Sequence, residues 1–143
     1  MQQRDSLTVI SNPSFIRKAI ERIYESSERF HWVGFYELSG DRLLLKDFIG
    51  KPTDHTEIPL GMGICGQAVT KNQDLNIPDV SVESNYLACS LNTKSELVVL
   101  VRNRSNEIVG QLDIDSDEMN AFSVEDEAWV KSVAKGLGEV WPE

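Results

Sequence analysis

The run Glu96-Leu97-Val98-Val99-Leu100-Val101, followed after Asn103-Arg104-Ser105-Asn106-Glu107 by Ile108-Val109-Gly110-Gln111-Leu112-Asp113-Ile114-Asp115, decides the fold. Two short segments rich in β-branched residues, joined by a polar connection, read as an antiparallel hairpin. In the second strand residues i and i+2 share a face, so Asp113 and Asp115 point to one side and Ile114 to the other. Two carboxylates that close repel each other, and they either hold a proton between them or take a cationic guest. Glu96, opening the neighbouring strand, adds a third acid to that face. A solvated sheet face, or a strand end running into a turn, accommodates the same residues. Both readings stand at this point.

Upstream, His31 to Leu38 is aromatic and β-branched, Ser39-Gly40-Asp41 supplies a turn, and Arg42 to Ile49 reads as a second strand. A second hairpin follows. Asn12-Pro13 has the chemistry of a helix start. Phe15, Ile16, Ala19, Ile20, Ile23 and Tyr24 recur at helical spacing, which predicts an amphipathic helix over 13–29. Residues 50–63 hold two prolines and three glycines and read as an irregular loop over the sheet. A short helix over 64–72 and a strand near 75–77 come next, and Pro78-Asp79 stops the strand. Residues 79–95 carry no regular pattern. Ser123-Val124-Glu125-Asp126 has capping-box spacing, and Val130, Val133, Ala134, Leu137, Val140 and Trp141 form the stripe of a C-terminal helix. Consecutive hairpins with terminal helices predict an α+β domain, an antiparallel sheet with helices on one face. The chain, 1–143, reads as one unit without repeats or linkers.

The 143 residues suit one domain whose core needs no disulfide or metal to fold. With 14 basic and 23 acidic residues the net charge is -9, a field that repels nucleic acid and anionic membrane surfaces. The first residues show no apolar leader, and Leu97-Val98-Val99-Leu100-Val101 is strand length, far short of a membrane span. The expected location is the cytoplasm. Two cysteines in a reducing compartment favour a transient disulfide over a lasting one.

His31 and His55 lack partners at metal-ligand spacing, so no metal site and no cofactor are expected. Cys65, in Gly63-Ile64-Cys65-Gly66, falls at a predicted helix start, where backbone amides and the helix dipole favour a thiolate. Cys89 falls in the irregular stretch, in Tyr86-Leu87-Ala88-Cys89-Ser90. Either cysteine also suits a small buried apolar position. As a pair they suit attack and resolution if the fold brings them together. Trp32 and Tyr36 share a strand face around Gly34, either as core or as the wall of a pocket in which the glycine leaves room for a guest.

Together these stretches resemble the free methionine-(R)-sulfoxide reductases, which are stand-alone GAF domains. The likeness is carried by His31-Trp32-Val33-Gly34-Phe35-Tyr36, the run from Ile58 to Val69, Ile77-Pro78-Asp79-Val80, Leu87-Ala88-Cys89, Ser95-Glu96-Leu97-Val98-Val99 and Gly110-Gln111-Leu112-Asp113-Ile114-Asp115-Ser116. It runs in register from about residue 13 to 138. The resemblance implies a GAF-like, PAS-like sheet with terminal helices on one face and a loop-covered ligand cavity on the other. It implies Cys89 as the nucleophile that attacks the sulfoxide sulfur and Cys65 as the resolver that closes a disulfide, with thioredoxin as reductant. Glu96, Asp113 and Asp115 would hold the substrate ammonium and stabilise the departing oxygen, and Trp32 and Tyr36 would pack on the methylsulfinyl end.

The sequence departs from the family pattern at three places. Asp54 stands where a further resolving cysteine is common, Asn85-Tyr86 replaces Gly-His, and Ser90 replaces an Asp. An alternative is a non-catalytic GAF module that binds an amino-acid-like or cyclic-nucleotide ligand. A third reading is a homodimer scaffold built on the terminal helices.

Overall fold

The computed structural model describes residues 2–83 and 92–142, with side chains from residue 13 onward. The elements are α1 (Gln2–Glu25), β1 (Trp32–Ser39), β2 (Arg42–Ile49), β3 (Glu57–Pro59), α2 (Gly63–Lys71), β4 (Leu75–Ile77), a 3-10 turn (Val80–Val82), β5 (Ser95–Arg102), β6 (Ile108–Ser116) and α3 (Val124–Glu139). Every strand pairing is antiparallel, in the order β3-β2-β1-β6-β5-β4. Both expected hairpins are present, and the join between them is the β1–β6 ladder, in which Gly34 pairs with Asp113 and Trp32 with Asp115. Among the described residues, no helix is long and apolar enough to cross a membrane.

Strand alternation sorts the chain into two cores. Val33 and Phe35 of β1, Leu97, Val99 and Val101 of β5, and Leu112 and Ile114 of β6 face α1 and α3. From the helices come Ile16, Ala19, Ile20, Ile23, Val130, Val133, Ala134 and Leu137, so most of the predicted stripes are buried, while Phe15, Tyr24 and Val140 at their edges stay exposed. The opposite face carries Trp32, Tyr36, Val98 and Leu100 against Ile58, Ile64, Cys65, Ala68 and Val80. Cores of this size contribute stability mainly through apolar area removed from water.

The largest differences from the sequence reading lie in α1 and the 50–63 loop. α1 runs over Gln2–Glu25 rather than 13–29, with Pro13 inside it rather than at its first turn. A proline is tolerated there at the cost of one backbone bond, and the Asn-Pro signal does not distinguish a helix start from that case. Within 50–63, Glu57–Pro59 forms a short edge strand on β2. Three residues with a proline carry no periodicity to read. The capping box before α3 forms as expected: the Ser123 hydroxyl accepts from the Asp126 amide, and the Asp126 carboxylate accepts from the Ser123 amide.

α3 closes on the sheet at Gly138, where a Cβ would collide with the Arg102 carbonyl at the end of β5. Gly138→Ala should therefore force helix and sheet apart, costing about 1–3 kcal/mol. A thermal melt should show a midpoint several degrees lower. An unchanged midpoint would mean that helix and sheet are not closely packed there in solution.

Candidate active site

The sheet face away from α1 and α3 carries the acids. On β6, Gln111, Asp113 and Asp115 alternate toward it, and Glu96 of β5 pairs with Asp115 across the ladder. All are withdrawn from water: Asp113 is 1% exposed, Asp115 2% and Glu96 3%. They do not form a solvated face. α2 crosses above them, and Cys65 in its first turn is 5% exposed with its Sγ 3.7 Å from Glu96 Oε2. One donor atom each from Cys65, Glu96 and Asp113 lies within 4.8 Å of the others. Three elements distant in sequence thus deliver a thiol and two carboxyls to one point.

Gln111 fixes the height of α2. Its side-chain amide, fully buried, donates to the Cys65 carbonyl at 3.0 Å. The start of α2 has no side-chain cap; Met62 takes the capping position in extended conformation, and its carbonyl accepts from the Gly66 amide. Gly63 enters the helix at φ 62, a left-handed conformation that glycine adopts without steric cost.

The aromatics tie the 50–63 loop down. The Tyr36 hydroxyl donates to the His55 carbonyl at 2.8 Å, and Trp32 Nε1 donates to the Lys51 carbonyl at 3.0 Å. Trp32 also stacks on Phe48 at 5.7 Å. The space over Gly34 is not left for a guest: a Cβ there would strike the Trp32 ring, so the glycine makes room for the indole itself. Of the two readings that strand alternation leaves open, core packing holds at Gly34, because alternation fixes the side of the sheet but not the rotamer.

Tyr36, Cys65, Glu96 and Asp113 line one small cavity with His55, Ile58, Gly63 and Ile64. Its volume of about 10 Å³ admits roughly one small atom. Trp32 and Asp115 face the same side without lining it. Cys89, expected to be the nucleophile, lies outside the described residues, as do Asn85, Tyr86 and Ser90. Asp54, at the place of the missing cysteine, is exposed on the loop. Sequence reasoning passed over Gln111 and His55. Gln111 was legible as the next same-face residue before Asp113, whereas His55 sits in a loop without period. A larger groove of about 630 Å³ lies between α3 and the end of β5, lined by Arg102, Arg104, Lys131 and Lys135 among others. It holds no thiol or buried acid, so chemistry favours the smaller cavity.

Electrostatics follow from burial. Glu96 is held well above the usual carboxylate range, first by burial, then by the charges of Asp113 and Asp115, with the Cys65 thiol opposing. Burial also raises Asp113, partly offset by the side chains of Glu96, Cys65 and Asp115. Among the described residues, no lysine or arginine pairs with Glu96 or Asp113. A raised folded-state value means that the folded chain binds more protons than the unfolded one. Stability should then fall as pH rises from the ordinary Glu96 value of 4.5 through the raised one. Melts of the ligand-free protein across that range should show the decline, and Glu96→Gln should flatten it and raise the midpoint at neutral pH. A slope unchanged by Glu96→Gln would mean that Glu96 is not its source.

The GAF domain family model matches residues 26–139. A free methionine-R-sulfoxide reductase of Escherichia coli is 39% identical over 118 residues, covering 82% of this chain and 70% of the relative. Among solved structures, the type II free methionine-R-sulfoxide reductase of Thermoplasma acidophilum superposes with a TM-score of 0.87 at 42% identity, covering 94% of each chain. The free methionine-R-sulfoxide reductase of Neisseria meningitidis, solved in complex with its substrate, superposes at 0.80 with 28% identity, covering 98% of this chain and 84% of that one.

Proposed function

Because the chain belongs to the GAF domain family and, within it, to the free methionine-R-sulfoxide reductases, we propose that it reduces free L-methionine-(R)-sulfoxide to methionine. The observation that carries this reading is the buried acid group of Glu96 and Asp113, without a lysine or arginine partner among the described residues and beside the Cys65 thiol. A cluster of that kind suits a small cationic guest, and the ammonium of a free amino acid supplies one. A residue inside a polypeptide has no ammonium to offer, which restricts the substrate to the free form.

The chemistry divides into two steps. The Cys89 sulfur attacks the sulfoxide sulfur, the S–O bond breaks, and the oxygen passes to Cys89 as a sulfenic acid while methionine leaves. Cysteine is oxidised by two electrons and the sulfoxide reduced by two. A neutral Glu96 or Asp113 is suited to protonate the departing oxygen, because burial keeps these carboxyls protonated above the usual range. Cys65 then attacks the sulfenic sulfur, a disulfide forms, and the hydroxyl leaves as water. A thioredoxin dithiol, oxidised in turn, returns both cysteines to thiols. Closing the bridge needs Cα atoms about 4.4–6.8 Å apart.

The test is turnover with resolved isomers of free methionine sulfoxide, thioredoxin, its reductase and NADPH. Consumption of the R isomer alone is expected, and stoichiometric sulfoxide should remove two thiols from the reduced protein. Thiol titration with none consumed would sink the reductase reading.

A further inference from the structure

The Cys65–Glu96–Asp113 group also has the composition and spacing of a metal site. We propose that the reduced protein binds a borderline-soft divalent cation, Zn²⁺ by chemistry, through Cys65 Sγ and one carboxylate oxygen each of Glu96 and Asp113. This inference does not rest on the reductase reading; it concerns what the same three side chains can hold.

Three observations carry it. The donor set is one sulfur and two oxygens, a mixture that suits zinc better than magnesium or calcium, which take oxygen alone. The spacing fits as well. Zn–S of about 2.3 Å and Zn–O of about 2.0 Å at a tetrahedral angle place sulfur and oxygen about 3.5 Å apart. Cys65 Sγ and Glu96 Oε2 stand 3.7 Å apart. The third donor atom lies within 4.8 Å of both, so a small turn of the Asp113 side chain completes the face. Finally, both carboxylate oxygens of Asp113 are buried and receive no well-formed hydrogen bond among the described residues, although the side chains of Glu96, Cys65 and Asp115 lie close to them. A buried acceptor in that condition costs free energy until a cation or donor reaches it. The cavity between these groups, about 10 Å³, admits one small atom.

Binding takes the place of protons: the Cys65 thiol ionises, any proton held by Glu96 or Asp113 is released with it to solvent, and no electron moves. Zinc and a substrate ammonium would compete for the same acids, so the ion would act as an inhibitor displaced by free sulfoxide.

The experiment is an anaerobic titration of the reduced, full chain with Co²⁺, which reports thiolate ligation through a charge-transfer band, followed by displacement with Zn²⁺. One equivalent should bind with the band present, and Cys65→Ser should lose the band. Asp113→Asn, which keeps both cysteines and the side-chain shape, should weaken binding at least about tenfold, about 1.4 kcal/mol. Absence of the band in the wild-type protein overturns the proposal, as does an affinity unchanged in Asp113→Asn, which would assign the ion to the cysteines alone. Should a variant fail to fold, the wild type decides: Zn²⁺ must slow alkylation of Cys65, located by mass, and an unslowed reaction overturns the site. A cobalt signal from a protein without turnover would leave the metal site standing and remove the reductase reading.

Discussion

Cys89→Ser should form no methionine from free methionine-(R)-sulfoxide, in a single turnover or in steady state, because in the proposed mechanism oxygen transfer then has no attacking sulfur. Cys65→Ser should behave differently. It keeps the attacker and removes the resolver, so one equivalent of methionine should appear in a burst, with Cys89 trapped as a sulfenic acid visible by mass. Cycling with thioredoxin should then collapse to whatever rate the external dithiol sustains by attacking the sulfenic acid directly. Asp54 occupies the place of a further resolving cysteine, and Cys65 and Cys89 are the two cysteines in the sequence, so the burst should be clean. A burst in Cys89→Ser with none in Cys65→Ser would reverse the two roles. Full cycling in both would mean that neither cysteine is catalytic, whereas binding of the free sulfoxide without turnover in the parent protein would favour a ligand-binding module.

Removing one acid should weaken substrate binding by the strength of the hydrogen bond that acid makes to the ammonium. A hydrogen bond to a charged group contributes about 1.5–3 kcal/mol. Glu96→Gln and Asp113→Asn should therefore each raise KM for the free sulfoxide by about 10- to 150-fold. Whichever residue protonates the departing oxygen should lower kcat as well when replaced, which separates the proton donor from the ammonium anchor. The Glu96→Gln protein should nonetheless melt higher than the parent at neutral pH, since the substitution relieves a buried, crowded acid. Lower affinity with higher stability distinguishes loss of function from loss of fold. A KM within twofold of the parent in both variants would remove the acids from substrate binding.

Much of this arrangement was legible in the residues. Alternation along 111–115 put Asp113 and Asp115 on one face with Glu96 beside them, and a period of two cannot be satisfied another way without turning Ile114 outward. The helical stripes and the Ser123 capping box were equally local signals. Burial of the acids was not local. It depends on α2 lying across that face, and α2 is held by Gln111 bonding a backbone carbonyl, an interaction between residues 46 apart that no periodicity encodes. The indole over Gly34 is a rotamer choice fixed by Phe48 and the Lys51 carbonyl, both on neighbouring elements. The cation-binding geometry escaped for the same reason: metal motifs are recognised by spacing along the chain, and these three donors come from a helix and two strands.

The sheet is joined at its centre by its first and last strands, β1 and β6, and this bears on how the protein comes into being. Ladders between remote segments require a long loop to close before any pairing offsets the entropy given up, so such topologies fold slowly. During synthesis β1, β2 and α2 leave the ribosome before residues 95–116 do. Until then α2 has no β5 or β6 to rest on, and the Cys65 thiol that is 5% exposed in the finished fold stays open to solvent. The nascent chain therefore passes through an interval in which oxidants and thiol reagents reach that sulfur freely. Its protection arrives with the hairpin of residues 95–116, and any half of the chain expressed alone would lack it.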